Sequence, residues 1–344
     1  MIAAAGVTGS GPCVETEVIE TMRVIAGELG SAPHLPYVPI LPERGPGGDA
    51  VGRTVGAVSA VSSSFAVATT PDGWRIAGAD TRDMRRARSW LGEDLDAAQQ
   101  QLAGFDRTVV VSLVGPWSLA AAIELTTGHR LVRDHMAVLD LTQALAQAVS
   151  NHVAEVRSRL PEATIVLRLD EPMLGAVMQG SIATPSGLDR YRAISDQVAS
   201  ERLATVAEAA GVDVLLGLSP VATPLAQAMA MAAPSGCSGV VFDFDTWNRS
   251  RDTDTMGQLI EAGGIAVLAL ALPAKASTVS VVRDNVEAVT RWWSELGFAP
   301  DDLTKSVTIQ PGSSSTPSGE LVREFEALRA ISAALRDEQE QGRD

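Results

Sequence analysis

Short runs of β-branched and aliphatic residues alternate with longer helical patterns along almost the whole chain. Eight runs predict strands, at residues 2–7, 37–41, 108–114, 164–169, 212–218, 239–244, 265–272 and 306–310. Several of them are continuously apolar, which is typical of strands buried on both faces of a parallel sheet. Helical sequence follows each run, so the chain contains eight βα units. We therefore expect an α/β fold, a single (β/α)8 TIM barrel.

The segments between the predicted strands carry the start and stop signals of helices. Predicted helices cover residues 14–29, 134–160, 188–210, 280–296 and 318–337. Glycine or proline directly follows most of them, as expected at the end of a helix. Residues 48–106 are too long for one crossover and predict a helix-plus-hairpin insertion, with a turn at residues 71–73. We expect one barrel domain over residues 1–340 and a disordered tail at 341–344.

An open, doubly wound sheet would allow the same alternation of strands and helices. That fold would need a glycine-rich phosphate turn after the first strand, and Gly6, Gly9 and Gly11 are the candidates there. Their spacing differs from the dinucleotide-binding fingerprint, so the barrel is favoured.

Charge and hydropathy exclude several classes of function. The 344 residues include 27 Lys and Arg against 42 Asp and Glu, a net charge of −15, so nucleic-acid binding is disfavoured. No run of about 18 apolar residues predicts a membrane span. Two cysteines, Cys13 and Cys237, provide no disulfide framework, and the start of the chain lacks a basic signal region. We expect a cytoplasmic protein that acts on a small molecule; its oligomeric state, a homo-oligomer included, stays open.

The catalytic and binding residues of a barrel lie at the carboxyl-terminal ends of its strands, at the rim. Asp170 and Glu171 directly follow an apolar strand, and Pro172 keeps the preceding residue extended. One of these carboxylates would face the barrel mouth, where it could bind a substrate ammonium or move a proton. The alternative is a solvated loop with a helix-capping acid. Asp243 and Asp245 form a second pair on one face, although Asp245 could instead cap the next helix.

Histidine and the common catalytic motifs give no further site. The four histidines, His34, His129, His135 and His152, all lie away from the predicted rim positions. The H-E-x-x-H, C-x-x-C and G-x-S-x-G motifs are absent, so zincin, redox and hydrolase functions lose their main support.

Five rim segments together carry a family resemblance. They are residues 7–10 (VTGS), 42–44 (PER) with Asp49, 114–119 (VGPWSL), 167–172 (LRLDEP) and 309–313 (IQPGS). In this order and spacing they resemble the catalytic barrel of the cobalamin-independent methionine synthase family, in the superfamily that also contains uroporphyrinogen decarboxylase. The resemblance covers nearly the whole chain and corresponds to the carboxyl-terminal half of that enzyme. It implies a barrel that transfers a methyl group from a methylated folate to homocysteine, whose thiolate is bound to zinc.

The resemblance also implies roles for the matching residues. Thr8, Gly9 and Ser10 would hold the carboxylate of the amino acid through backbone donors, and Asp170 would bind its ammonium. Glu43 is a further substrate-binding candidate.

The zinc site is where this sequence departs from the family. The positions of the family's His-x-Cys pair are Gly217 and Ser219, and its second cysteine falls at Ser313. Glycine supplies no ligand, and a serine hydroxyl is a poor substitute for a thiolate. We therefore predict no metal ligands and no cofactor, although an acidic ligand could survive as Asp243 or Asp245.

Three functions stay open. The working expectation is methyl transfer from a methylated folate or another donor to homocysteine or a related thiol, with Glu171 as the catalytic base. The family's folate-side tryptophan and glutamate, however, fall at Ala122 and Ala176. The second function is a non-catalytic barrel that binds methionine or homocysteine. The third is a metal-free decarboxylase-like enzyme, which would need arginines near the first rim loop, yet residues 1–22 contain none.

Overall fold

The structure is a computed structural model that describes residues 6–71, 73–218, 225–273, 278–312 and 318–341. The helices are α1 Val18–Leu29, α2 Ala50–Val61, α3 Arg82–Gln101, α4 Pro116–Ala122, α5 His135–Arg159, α6 Leu174–Met178, α7 Asp196–Ala210, α8 Leu225–Met229, α9 Arg249–Glu261, α10 Thr278–Leu296, α11 Pro300–Ser306 and α12 Ser318–Gln341. The strands are β1 Val67–Thr70, β2 Gly73–Ile76, β3 Thr108–Val114, β4 Ile123–Glu124, β5 Thr164–Glu171, β6 Asp213–Leu218, β7 Gly239–Asp243, β8 Ile265–Leu270 and β9 Val307–Pro311.

The described residues form a mixed α/β fold around a curled, six-stranded parallel sheet. Its strand order is β3-β5-β6-β7-β8-β9, and every neighbouring pair is parallel. Nearly all residues of these strands are buried, because helices cover a parallel sheet on the face away from its interior. The last six of the eight predicted strands are confirmed, with small shifts at their ends.

The first two predicted strands are found only as isolated bridges at the two edges of this sheet. Val7 pairs in parallel with Ile309 of β9, and Tyr37 pairs with Val110 of β3. The Leu35 amide also donates to the Val7 carbonyl at 2.8 Å. Prolines explain the short pairing, since residues 33, 36, 39 and 42 are all Pro and cannot donate to a ladder. Residues 2–5 of the first predicted strand lie outside the described residues.

The predicted insertion contains a small sheet between two helices. β1 and β2 form an antiparallel hairpin, and β4 joins β2 in parallel. α2 precedes this hairpin, and the 20-residue α3, which the sequence did not predict, follows it. The Thr81 hydroxyl caps α3 by accepting the Met84 amide at 3.2 Å.

Two helix starts differ from the prediction. The helix expected from residue 188 begins at Asp196, where Ser195 accepts the Val198 amide, and the helix expected from residue 14 begins at Val18. At the other end of the chain, α12 continues to Gln341, and residues 342–344 lie outside the described part. Across the described ranges, none of the helices has the combination of length and hydropathy that a membrane crossing requires.

Candidate functional site

A cavity of about 350 Å³ lies at the carboxyl ends of the parallel strands. Its polar lining consists of Ser10, Ser118, Arg168, Asp170 and Gln310. Its apolar lining includes Pro12, Ile40, Val51, Val114, Ala122, Met173, Leu218 and Val241. Small-molecule pockets span roughly 300–1,000 Å³, so this volume suits one small molecule. A larger groove of about 910 Å³ between α10 and α12 is mainly apolar and lies away from these polar side chains.

A buried ion pair lines the cavity. Arg168 Nε lies 2.8 Å from Asp170 Oδ1, and Arg168 Nη2 donates to Asp170 Oδ2 at 3.1 Å. The same guanidinium donates to the carbonyl oxygens of Gly9, at 3.2 Å, and Ser10, and it contacts Gln310 Oε1 at 3.5 Å. Both Nη groups are engaged by these hydrogen bonds, whereas Nε makes the ion-pair contact with Asp170 but no hydrogen bond among the described residues. Arg168 therefore fixes the loop after the first bridge.

Asp170 is the ionisable group in the cavity lining that can still accept hydrogen bonds from a ligand. Its side chain is 23% exposed. Burial raises the pKa of Asp170, and the neighbouring Arg168 opposes that effect. Each oxygen of an ionised carboxylate can accept about two hydrogen bonds, and Arg168 uses one direction of each. The remaining directions can accept an N–H group of a ligand.

The loop at residues 8–11 packs closely against Tyr37 and Arg168. A Cβ atom at Gly9 would lie 2.0 Å from the Tyr37 ring, and one at Gly11 would lie 2.7 Å from Arg168 Nη2. Gly11 also has a φ of +104°, which favours glycine. Among the described residues, the Thr8 amide donates to the Ile309 carbonyl, whereas the amides of Gly9 and Ser10 donate to no acceptor. The two free amides thus lie beside the Arg168–Asp170 pair.

Glu171 faces away from the cavity. Its carboxylate, with the residue 1% exposed, accepts the Trp117 amide at 2.9 Å, the Ser118 amide at 2.7 Å and the Ser118 hydroxyl at 2.6 Å. The pKa of Glu171 is raised to about 7, because the effect of burial outweighs the opposite effect of these hydrogen bonds. Its role as a catalytic base stays a prediction, because its oxygens contact α4 and it does not line the cavity.

Glu43 is not brought together with the other predicted residues. It is exposed and lines a separate cavity of about 640 Å³, beside Glu17 and Trp90. The physical reason is its neighbour Arg44, which turns inward and donates to the buried Asp94 at 2.8 Å. In the short helical turn at Pro42–Arg44, this leaves Glu43 on the outer side.

The described residues do not fit the zinc that the family resemblance implies. A Cβ atom at Gly217 would lie 2.3 Å from Asp170 Oδ1, so the carboxylate fills the space where a ligand side chain would begin. Within the described ranges, no group of three or more His, Cys, Asp and Glu side chains could hold a metal ion. The other two predicted positions, Ser219 and Ser313, lie outside those ranges. Asp243 accepts the Asp245 amide at 3.2 Å and so caps its own turn.

Sequence reasoning missed Arg168 as a site residue. The signal was present, because a charged residue inside a strand buried on both faces needs a partner. Which partner it has depends on Gly9, Ser10 and Gln310, which are more than a hundred residues away in the chain.

Comparisons with known proteins give structural likenesses only. No family model matches the chain, and no curated protein is significantly similar to it in sequence. A B12-independent methionine synthase from a Shewanella species, in complex with selenomethionine, is 12% identical with a TM-score of 0.47; the match covers 72% of this chain and 66% of that one. An L-ribulose 3-epimerase is 16% identical with a TM-score of 0.36, covering 74% of this chain and 91% of that one. A psychrophilic family 10 endo-β-1,4-xylanase is 10% identical with a TM-score of 0.37, covering 70% and 81%. This chain therefore spans less than two-thirds of the methionine synthase chain, and the three proteins have different activities.

Proposed function

We propose that the chain is a complete (β/α)8 barrel and that its cavity binds a small α-amino acid of about the size of methionine or homocysteine. The bridges of Val7 and Tyr37 to opposite edges of the six-stranded sheet support the closed barrel. The observation that carries the ligand class is Asp170, whose carboxylate is held by Arg168 with acceptor directions still available.

The ligand's ammonium would bind Asp170. Hydrogen bonds between charged groups are shorter and roughly twice as strong as those between neutral groups. The unengaged amides of Gly9 and Ser10 would donate to the ligand's carboxylate, which is the role that the family resemblance implies for this loop. The ligand's side chain would then pack on the apolar lining, which includes Val114, Leu218 and others.

If the bound amino acid is also a substrate, the reaction proposed is methyl transfer to homocysteine. Its support is the resemblance of the five rim segments to the methionine synthase family. A thiolate is the reactive form of such a substrate, and activation without a metal requires a base. Glu171 is engaged by α4, so the cavity geometry favours binding of the amino acid over this reaction. A decarboxylase-like function has less support, because the Arg168 guanidinium in the cavity already holds the Asp170 carboxylate and the carbonyls of Gly9 and Ser10.

The experiment is calorimetric titration of the purified protein with L-methionine, L-homocysteine and two analogues. The analogues are 4-methylthiobutanoate, which lacks the ammonium, and 3-methylthiopropylamine, which lacks the carboxylate. We expect saturable binding of the amino acids and a loss of about tenfold or more for the analogue without the ammonium. Equal binding of methionine and 4-methylthiobutanoate, or no binding of either amino acid, would contradict the proposal.

A further inference from the structure

Glu171 lies next to Asp170 in the chain but on the other face of β5, since successive side chains of a strand alternate. Its two oxygens divide their contacts within α4. Oε1 accepts the Trp117 amide, while Oε2 accepts both the amide and the hydroxyl of Ser118. The carboxylate thereby holds the first turn of α4 against the end of β5.

Ser118 extends this contact to a second segment. Its hydroxyl donates to Glu171 and accepts the Met173 amide at 2.9 Å. Ser118 lies on α4, after β3, and Met173 lies in the turn after β5; both side chains line the cavity. Two cavity walls from different βα units therefore meet at one buried carboxylate.

Gly115 makes room for this arrangement. A Cβ atom there would lie 2.4 Å from Glu171 Oε1 and 2.7 Å from its Cγ. The Gly115 amide donates to the Asp170 carbonyl at 2.8 Å, which keeps the end of β3 beside β5. A side chain at position 115 would displace the carboxylate from the amides that it accepts.

We propose that Glu171 is a positioning residue, whose contacts with Trp117 and Ser118 set the separation of the α4 wall and the Met173 wall and thereby the affinity for the ligand. This proposal rests on the proposed function, because the ligand is the one proposed for the cavity. It gives Glu171 a role through other residues, in place of the catalytic role that the sequence suggested.

Glu171→Gln is the direct test, because an amide cannot replace the carboxylate here. Whichever position the side-chain nitrogen takes, it faces a main-chain N–H group, of Trp117 or of Ser118. Ser118→Ala is the second variant, since it removes the link to Met173 and keeps both amide contacts. Ser118→Thr retains the hydroxyl and serves as the conservative rescue.

Asp134→Asn is the matched control. The Asp134 carboxylate accepts the main-chain amides of Met136 and Ala137 at the start of α5, away from the cavity. This variant therefore loses a comparable charge at a helix start without touching either cavity wall.

The readouts are hydrogen exchange of the amides at residues 117–123 and 173–178, and L-methionine affinity by calorimetry. In Glu171→Gln we expect the Trp117 and Ser118 amides to exchange about tenfold faster or more, and methionine to bind about tenfold more weakly. In Ser118→Ala we expect faster exchange at Met173, weaker methionine binding and a modest decrease in melting temperature, because the Met173 amide and Glu171 each lose a hydrogen bond. Ser118→Thr should restore both, and Asp134→Asn should leave both as in the wild type.

Unchanged exchange in α4 and unchanged affinity in Glu171→Gln would overturn the proposal. If that variant does not fold, unchanged Met173 exchange and affinity in Ser118→Ala would overturn it instead. A wild-type protein that binds no amino acid would contradict the proposed function. In that case the exchange rates of the variants still decide whether Glu171 holds the two walls together.

Discussion

Gly217 leaves the space in which the Asp170 carboxylate lies. The distance from a Cβ atom at position 217 to Asp170 Oδ1 would be 2.3 Å, far below a normal contact. Arg168 Nε lies 2.8 Å from the same oxygen. The absence of a side chain at position 217 is therefore part of how this cavity is built.

Gly217→Ala should displace Asp170 from Arg168. We expect weaker binding of L-methionine by about tenfold, since the ammonium partner moves, with a smaller loss of stability than a core cavity would cause. Titration calorimetry and urea unfolding measure the two effects. Gly257→Ala is a suitable control, because no atom would lie within 4 Å of its Cβ. Wild-type affinity in Gly217→Ala would contradict this description of the site.

His152 makes stability depend on pH. Its imidazole is buried in α5, and burial lowers its pKa from 6.5 to about 3. The folded state therefore resists protonation, so this contribution to stability is present above pH 6.5 and is lost as the pH falls from 6.5 toward 3. As the pH is lowered from 6 to 4, the free energy of unfolding of the wild type should decrease by about 1.4 kcal/mol per pH unit more than that of His152→Leu. The free energies of unfolding are measured by urea unfolding at each pH. If they change equally with pH in the two proteins, His152 does not contribute to the pH dependence.

Asp170 could be predicted from the sequence, but its surroundings could not. An acid directly after an apolar strand of a parallel sheet is expected at the functional edge. Arg168, which holds the Asp170 carboxylate, also contacts Gly9, Ser10 and Gln310. No local sequence pattern brings these residues together. Glu43 has the same kind of local signal as Asp170, yet the inward turn of Arg44 places it in another cavity.

At the scale of secondary-structure elements, a buried charge cluster ties the insertion to the sheet. Asp94 of α3 contacts Arg44 at 2.8 Å and Arg53 of α2 at 3.5 Å. Arg53 also donates to the Pro39 carbonyl at 2.7 Å, in the segment that bridges to β3. The cluster therefore joins three parts of the chain that are distant in sequence.

Asp94→Ala should be strongly destabilising. Removing one partner of a buried pair leaves uncompensated charges and typically destabilises by about 3–5 kcal/mol. Asp96→Ala is the control on the same helix, since Asp96 is 69% exposed and pairs with Arg159 near the surface. Such exposed pairs contribute about 1 kcal/mol or less. Urea unfolding of the two variants measures the difference, and similar losses in both would argue against the buried cluster.

The six central strands could be predicted because a parallel sheet covered by helices requires continuously apolar strands. The segment at residues 37–41 has a similar composition, but Pro36 and Pro39 prevent it from forming a ladder. α3 was not predicted because its buried face is built largely from Ala87, Ala97 and Ala98 among many charged residues. Alanines give a weak periodic signal, so such a helix depends on its cap and its tertiary contacts.

At the scale of the whole molecule, the described residues of the chain contain no group of three or more side chains that could hold a metal ion. We expect zinc far below one per chain after incubation with excess zinc and dialysis, measured by plasma mass spectrometry. About one zinc per chain, as a catalytic site would hold, would contradict this expectation.

The central claim is that Asp170 binds the ammonium of an amino acid. The measurement that tests it most directly is L-methionine affinity, by calorimetry, in Asp170→Asn and in Asp243→Asn. Asp243 is the last residue of β7, in the same sheet, but does not line the cavity, so it is the matched control. We expect Asp170→Asn to bind about ten- to a hundredfold more weakly than the wild type, and Asp243→Asn to bind as the wild type does. Equal affinities in Asp170→Asn and the wild type would contradict the claim.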